Sequence, residues 1–599
     1  MCGIVGYIGH RQAAPVLLEG LRRLEYRGYD SAGVALVQRR RLKVHKTVGR
    51  VEDLRRLVGE SAPGQVGIAH TRWATHGEVT DANAHPHTDG SGRFAVVHNG
   101  IVENADRLRA QLVADGVELV SDTDTEALVH LIAARAEQTE TLEEAVRAVL
   151  GMVEGTYGLV VLDAKRPEEL VVARNGSPIV LGVGEGETFV ASDVSALVRH
   201  TQQVVYLEDG EIATVHADDF RTSSRAQTVE LSDEDYQLGE YQDFMRKEMA
   251  EQPEAVRRAL RGRLDSKFNT ARLGGLRLDP RELRGVRRVK FLGCGSAYYA
   301  GQIGACMVEE LARIPADAEP ASEFRYRSPV VDSDTLYVAI SQSGETLDTL
   351  AAVQELKRKG GNVIGVVNVV GSAVARECGN GVFLHAGPEV SVASTKAFTS
   401  MTVTFAMLAL LLGRVRDLSA ARGAALVTGL HALPDQISSV LASSDDVAAV
   451  ASKFADAEHM FFIGRVRGWP AAREGAQKLK EISYLHAEAY QAAELKHGPL
   501  ALINPAMPSV VIVPDDELLT KNISTIEQIK ARGGPVIAVT NAVLPTGLVD
   551  AELRVPNNSP ELDPILLTIP LQLFAYHLAT ALGRDIDKPR NLAKSVTVE

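Results

Sequence analysis

The 599-residue chain changes rhythm partway along. Up to about residue 225, short apolar runs recur: Gly3-Ile4-Val5-Gly6-Tyr7-Ile8, Val66-Gly67-Ile68-Ala69, Phe94-Ala95-Val96-Val97 and Leu159-Val160-Val161-Leu162. Their length suits strands, and helix-period stretches such as Asp124 to Ala136 lie between them. This pattern predicts an α+β domain with layered sheets. From about Ser232 to Leu283 the chain turns polar and charged, broken at Glu251-Gln252-Pro253, and reads as a linker carrying helices. Beyond it strand and helix patterns alternate, which predicts parallel sheets flanked by helices. Within that part Met401 to Leu412 is apolar, interrupted by threonines and too short to span a bilayer, so it reads as a buried helix. Ala471 to Tyr490 reads as a single helix.

The later part also repeats itself. Val289-Lys290-Phe291-Leu292-Gly293 is patterned like Met460-Phe461-Phe462-Ile463-Gly464, and residues 360–368 like residues 533–541, at an offset of about 172 residues. Two similar α/β domains follow. The predicted division is 2–225, a linker over 226–283, α/β domains over 284–425 and 450–590, and a tail over 591–599.

Composition narrows the function. The net charge of −13 argues against nucleic acid or an anionic membrane as partner, so any phosphate must be held in a local pocket. Cys2, Cys294, Cys306 and Cys378 have no paired spacing, which speaks against a disulfide framework or a zinc site and fits a reducing cytoplasm. The N-terminus has no basic segment followed by an apolar stretch, so no signal peptide is expected.

Candidate chemistry begins at Met1-Cys2-Gly3. Removal of Met1 would leave Cys2 with a free α-amine beside its thiol, and an amine of pKa about 7.7–8.0 can take the thiol proton. Three polar segments lie at element boundaries, where sites are common: His70-Thr71-Arg72-Trp73-Ala74-Thr75-His76-Gly77, His98-Asn99-Gly100 and Ser121-Asp122-Thr123-Asp124. An arginine can grip a glutamine α-carboxylate, an aspartate its ammonium, and an Asn amide with a Gly N–H a tetrahedral oxyanion. Taken alone, Asp124 reads equally as a helix cap and Asn99-Gly100 as a hairpin turn. Together the segments resemble the class II glutamine amidotransferases, whose N-terminal-nucleophile fold has four αββα layers. The resemblance implies Cys2 as nucleophile, Asn99 and Gly100 as oxyanion hole, Arg72, Thr75, His76 and Asp124 as glutamine ligands, Trp73 beside the exit of ammonia, and Arg27 in the same region.

In the first repeat, the strand ending at Ile340 runs into Ser341-Gln342-Ser343-Gly344-Glu345-Thr346 and a helix beginning near Leu347. Hydroxyls and N–H groups at a helix N-terminus suit a phosphate. The second repeat has Pro514-Asp515-Asp516-Glu517 instead, whose acids would repel phosphate, so one sugar-phosphate site per pair of domains is expected. Lys478 and Glu481 share a helical face, a spacing that also suits a surface ion pair. With Val392-Ala393-Ser394-Thr395, Lys496-His497-Gly498 and the tail from Arg590, these segments resemble the isomerase half of the glucosamine-6-phosphate synthases, built from two sugar-isomerase (SIS) domains. That resemblance implies an enzyme that aminates and isomerises fructose 6-phosphate with nitrogen from glutamine. Ser341, Ser343 and Thr346 would bind phosphate, with Gln342, Ser296, Val392 and Ser394 around the sugar. Lys594 would form an imine with C2, Glu481 move the proton between C1 and C2, Lys478 support it, and His497 of a partner subunit help open the ring. Ala297, where relatives carry a hydroxyl, takes no phosphate role. No metal or other cofactor is called for. The alternatives are a non-catalytic SIS-type sugar-phosphate sensor and another class II amidotransferase.

Overall fold

The computed structural model describes residues 2–597, apart from 60–61, 75–76, 223 and 229–232. It forms two compact units, Met1–Gln237 with Ala593–Glu599, and Leu238–Leu592.

The first unit holds two antiparallel sheets. In the eight-stranded sheet the strand Gly3–Gly9 pairs with Glu187–Ala191 on one side and Val66–Arg72 on the other. In the five-stranded sheet Phe94–Val102 pairs with His87–Thr88 and Gly155–Asp163. Ile4, Ile68 and Val190 from one sheet share a core with Ala95, Val97 and Val160 from the other. The opposite faces are covered too. Val5, Tyr7 and Phe189 cluster with Leu17 and Leu21 of the helix Ala13–Leu24, and Val96, Leu159 and Val161 with Leu128 and Ile132 of the helix Asp124–Ala136. The layers are therefore helix, sheet, sheet, helix. Strands buried on both faces explain why the sequence shows continuous apolar runs rather than alternation. Where both faces are apolar, register falls to the residues that are not. Gly3 N–H donates to Thr71 Oγ1 at 3.1 Å and Ile4 N–H to Ser192 Oγ at 3.0 Å, which fixes Cys2 at the strand's start. Asn99-Gly100 lies inside Phe94–Val102, not in a hairpin turn.

The second unit contains two parallel five-stranded sheets of identical order. From edge to edge they run Ala316–Pro320, Arg288–Gly293, Thr335–Ser341, Asn362–Val367, Gly381–Phe383, and His486–Gln491, His459–Gly464, Ser509–Val513, Val536–Thr540, Ala551–Arg554. Matching order bears out the internal repeat. The helical stretches Lys396–Arg414 and Pro560–Ala581 are long and apolar enough to cross a membrane, yet both are buried in the core that the two sheets share. Thr402 and Thr404 sit in that core because their hydroxyls donate back to the carbonyls of Thr399 and Ser400, each at 2.8 Å.

Two segments differ from expectation. The polar stretch read as a linker contributes Met245, Met249, Ala255, Val256 and Leu260 to the core of the second unit. The predicted helix 471–490 is Gly468–Ser483, ended by Tyr484 at φ +66°, after which His486–Gln491 becomes a strand beside His459–Gly464. Ala, Glu and Gln in that stretch favour helix locally, and the free edge of the sheet overrides them.

The acids at the matching loop of the second repeat have a structural use. Arg467 reaches Asp516 at 3.2 Å and Glu517 at 3.3 Å, and pairs with Glu310 of the helix Ser296–Ala312 in the first repeat. Asp516 is almost wholly buried, so removing its cation leaves a charge without compensation. Arg467→Met is expected to destabilise the second unit by about 3 kcal/mol, read as a lower urea midpoint for its unfolding.

Candidate active site

Cys2 is half-buried, and Trp73 N–H donates to its Sγ at 3.1 Å. Burial pushes the thiol above its ordinary value, with the Trp73 N–H among the groups opposing the rise. A thiol held in its protonated form needs a base close by before it can attack. Asn99 donates from Nδ2 to the Cys2 carbonyl at 2.9 Å, and its Oδ1 lies 3.0 Å from His70 Nε2. Gly100 has φ +134°, and a Cβ there would lie 2.1 Å from the Thr156 carbonyl oxygen, so no other residue fits. Arg72 is buried, and its guanidinium donates to the carbonyls of Glu78 at 3.1 Å and Gly77 at 3.3 Å. Cys2, Asp30, Asp124 and Asp122 are among its ionisable neighbours. Asp124 opens its helix without capping it and accepts Val102 N–H at 2.9 Å. Trp73 meets Tyr29 edge to face at 5.6 Å. Arg27 pairs with Asp193 and donates to the Tyr26 hydroxyl at 3.2 Å. Thr75 and His76 lie outside the described residues.

The second cluster lies where the strand order of the first parallel sheet reverses, outside the carboxyl ends of Arg288–Gly293 and Thr335–Ser341. Ligands of open α/β sheets bind at such switch points. Ser341 Oγ accepts Gly344 N–H at 2.9 Å and lies 3.1 Å from Thr346 Oγ1, while Ser343 Oγ accepts Glu345 N–H at 3.1 Å. Gly344 turns the loop at φ +66°, where a Cβ would strike Ser372. The hydroxyls thus gather, with the half-buried Gln342, at the N-terminus of the helix Leu347–Arg358. Ser394 Oγ is buried with no hydrogen-bond partner among the described residues, and Val392 N–H donates to the Asp587 carbonyl at 3.2 Å. Ser296 donates to Glu474 Oε1 at 3.0 Å.

Glu474, Lys478 and Glu481 follow one another along a face of the helix Gly468–Ser483. Lys478 is 1% exposed, which excludes a surface ion pair. Its Nζ lies 2.7 Å from Glu481 Oε2 and 3.6 Å from Glu474 Oε1, and Gln477 donates to Glu481 Oε1 at 2.5 Å. Burial alone would discharge Lys478, but Glu474 and Glu481 outweigh it and hold the ammonium above its ordinary pKa. Burial pushes Glu474 up to about 8, against the pull of Lys478. His497 is exposed in the turn Glu494–His497. Lys594 lies in the tail that packs as part of the first unit. Four residues before it, Arg590 N–H donates to the Tyr484 hydroxyl at 2.8 Å.

A glutamine amidotransferase domain model matches residues 70–199, and an SIS domain model matches 282–411 and 453–582. A glutamine–fructose-6-phosphate aminotransferase (isomerizing) of Chlorobaculum tepidum is 46% identical over 100% of both chains, and one of Thermus thermophilus is 48% identical over 100% of both. A solved structure, the C-terminal domain of glucosamine-fructose-6-phosphate aminotransferase from Francisella tularensis, is 36% identical with a TM-score of 0.56, covering 59% of this chain and 99% of its own. The chain belongs to the glutamine–fructose-6-phosphate aminotransferase (isomerizing) family. It is therefore an enzyme with a glutaminase half and an isomerase half.

For this aminotransferase, sequence reasoning passed over Glu474 and His70. Glu474 carries the same helical-face signal as its neighbours, standing four residues before Lys478. His70 lies within a segment singled out for Arg72, and only packing shows what its ring touches. It belongs to a buried group with His85, His87 and His98. The His70 and His85 rings stack at 4.2 Å, and His85 meets His87 at 4.7 Å.

That group makes the first unit sensitive to acid. Burial holds all four histidines below their ordinary pKa, His70 at about 3. Between about pH 6.5 and those lowered values, the unfolded chain binds protons that the folded one does not. Stability present above pH 6.5 is thus lost as pH falls, by at most about 1.4 kcal/mol per pH unit for each histidine. Thermal unfolding of the amino-terminal unit is expected to show a flat midpoint above pH 7 and a falling one below pH 6.

Proposed function

We propose that this enzyme makes glucosamine 6-phosphate and glutamate from fructose 6-phosphate and glutamine, with the following residues in the following roles. The observation that carries the reading is the presence in one chain of a thiol beside an oxyanion-type Asn-Gly pair and of a buried carboxylate–lysine set on a helix that reaches the hydroxyl-lined loop's side of the fold through Ser296. With Met1 removed, the Cys2 amine takes the thiol proton and the sulfur attacks the glutamine amide. Asn99 Nδ2 and the Gly100 N–H stabilise the oxyanion. Arg72 holds the α-carboxylate, Asp124 the α-ammonium, and Thr75 and His76 complete the glutamine site. Arg72 now donates to the loop carbonyls of Gly77 and Glu78, donors that glutamine's carboxylate would take over. Ammonia leaves past Trp73, with Arg27 in the same region, and water releases glutamate from the thioester.

At the second site Ser341, Ser343 and Thr346 bind the phosphate, with Gln342, Ser296, Val392 and Ser394 around the sugar. Lys594 forms an imine at C2 of the open-chain ketose, ammonia displaces the lysine, and Glu481 carries a proton from C1 to C2. Lys478 keeps Glu481 in place. His497, exposed on each subunit, serves the ring opening of a partner copy in a homodimer. The reaction takes place in the cytoplasm, where the four thiols stay reduced.

Cys2→Ala is expected to abolish glutamine-dependent hexosamine phosphate formation while ketose–aldose isomerisation continues. Loss of both activities in a folded variant speaks against two separable sites. Glutamine labelled at its amide nitrogen should pass that label to the sugar, and borohydride with fructose 6-phosphate should trap Lys594. Label on another lysine would reassign the imine.

A further inference from the structure

His70 lies on the strand Val66–Arg72, opposite Ile4, with no solvent exposure. Its Nε2 faces two oxygens, Asn99 Oδ1 at 3.0 Å and the His98 carbonyl at 3.2 Å. A backbone carbonyl can only accept, so Nε2 must carry the hydrogen. The other ring nitrogen, Nδ1, is buried and has no hydrogen-bond partner among the described residues. A hydrogen there would be a donor stranded away from water, so the ring is the neutral Nε2–H tautomer. The stack on His85 holds it in place. His85 Nδ1 in turn accepts His98 N–H at 3.4 Å, so two histidines meet the backbone just ahead of Asn99.

This tautomer decides the orientation of the Asn99 carboxamide. An amide can present either its oxygen or its nitrogen, and the two ends have nearly the same shape. Facing a donor, it presents Oδ1, and Nδ2 then points towards Cys2, where it donates to the Cys2 carbonyl at 2.9 Å. The reversed amide would set its N–H against the His70 N–H and its oxygen against the negative charge that develops during attack.

We infer that His70 is a positioning residue for glutamine hydrolysis: its Nε2–H fixes which end of the Asn99 side chain faces the nucleophile, and so keeps a donor at the oxyanion position. The inference rests on the oxyanion role proposed for Asn99. Removing one oxyanion donor outright costs about 10²–10³ in kcat, and losing its orientation should cost a smaller factor.

The test compares His70→Leu, which deletes the donor, with His70→Gln, which restores an N–H at similar reach, both in the full-length enzyme. Iodoacetamide alkylation of Cys2 and thermal unfolding serve as controls. His70→Leu is expected to lower kcat for glutamine hydrolysis about 10–100-fold. KM for glutamine should stay within about two-fold, because Arg72 and Asp124 are untouched. Ammonia-dependent hexosamine phosphate formation and the Cys2 alkylation rate should not change, and His70→Gln should recover most of kcat. An unchanged kcat in His70→Leu, or a folded His70→Gln as impaired as His70→Leu, overturns the inference. Should His70→Leu not fold, imidazole nitrogen NMR of the parent enzyme, assigned by loss of the signal in His70→Gln, decides: a neutral Nε2–H ring at pH 7 supports the inference and an Nδ1–H ring overturns it. If Cys2→Ala still hydrolyses glutamine, the proposed glutaminase reading fails instead, whatever the His70 variants do.

Discussion

The amino-terminal unit turns on the hydrogen bonds of Asn99, which join its two sheets at a polar place in their common interior. Elsewhere that interior is made of residues such as Ile4, Ile68, Val97 and Val160, which hold the sheets together without setting their alignment to a fraction of an ångström. Asn99 belongs to one sheet and His70 to the other, with Cys2 just ahead of that sheet's strand Gly3–Gly9, and the bonds of 2.9 and 3.0 Å between them need the layers in one relative position. Catalysis by an oxyanion donor makes the same demand, because donors pointing at the wrong place do nothing for the transition state. The apolar layers supply the stability and the amide supplies the alignment. Gly100 shows how tight that alignment is, since even a methyl group there meets the neighbouring strand's backbone.

The second unit solves a different problem with one repeated fold. Both sheets have the same strand order, so both have a switch point where a ligand could sit. In the first repeat the loop there carries Ser341, Ser343 and Thr346. In the second it carries acids, and Arg467 ties them to Glu310 of the first repeat. Duplication thus leaves one switch point lined with hydroxyls and turns the other into a fastening, while the second repeat's helix Gly468–Ser483 supplies Glu474, Lys478 and Glu481.

Much of this was legible in the chain because each signal was local. The continuous apolar runs, the repeat and the Ser341–Thr346 loop are written in consecutive residues, and the helix Asp124–Ala136 begins and ends where its pattern does. What escaped depends on distant partners. His486–Gln491 has helical composition and becomes a strand only because a sheet edge lies beside it. The polar stretch after 238 looked like a linker because its few apolar residues, Met245 and Val256 among them, fill a core assembled from sequence far away. His70 was read as part of a motif, and its tautomer is decided by a carbonyl and an amide across the sheet interface.

The lysines show best why burial matters to the chemistry. An amine that forms an imine must lose its proton first, and a desolvated lysine usually does so readily. Lys478 is desolvated, yet it lies between two carboxylates that hold its proton more firmly than water would. It is a fixed positive charge, a poor nucleophile, and its 2.7 Å contact holds the Glu481 carboxyl group in one orientation. Glu474, pushed up to about 8 by burial, keeps its own proton over much of the neutral range and lies farther from Lys478, at 3.6 Å, and its bond from Ser296 ties the set to the first repeat. The geometry therefore separates two tasks that one lysine cannot perform together. Charge at the helix stays with Lys478, and forming the imine is the part proposed for Lys594.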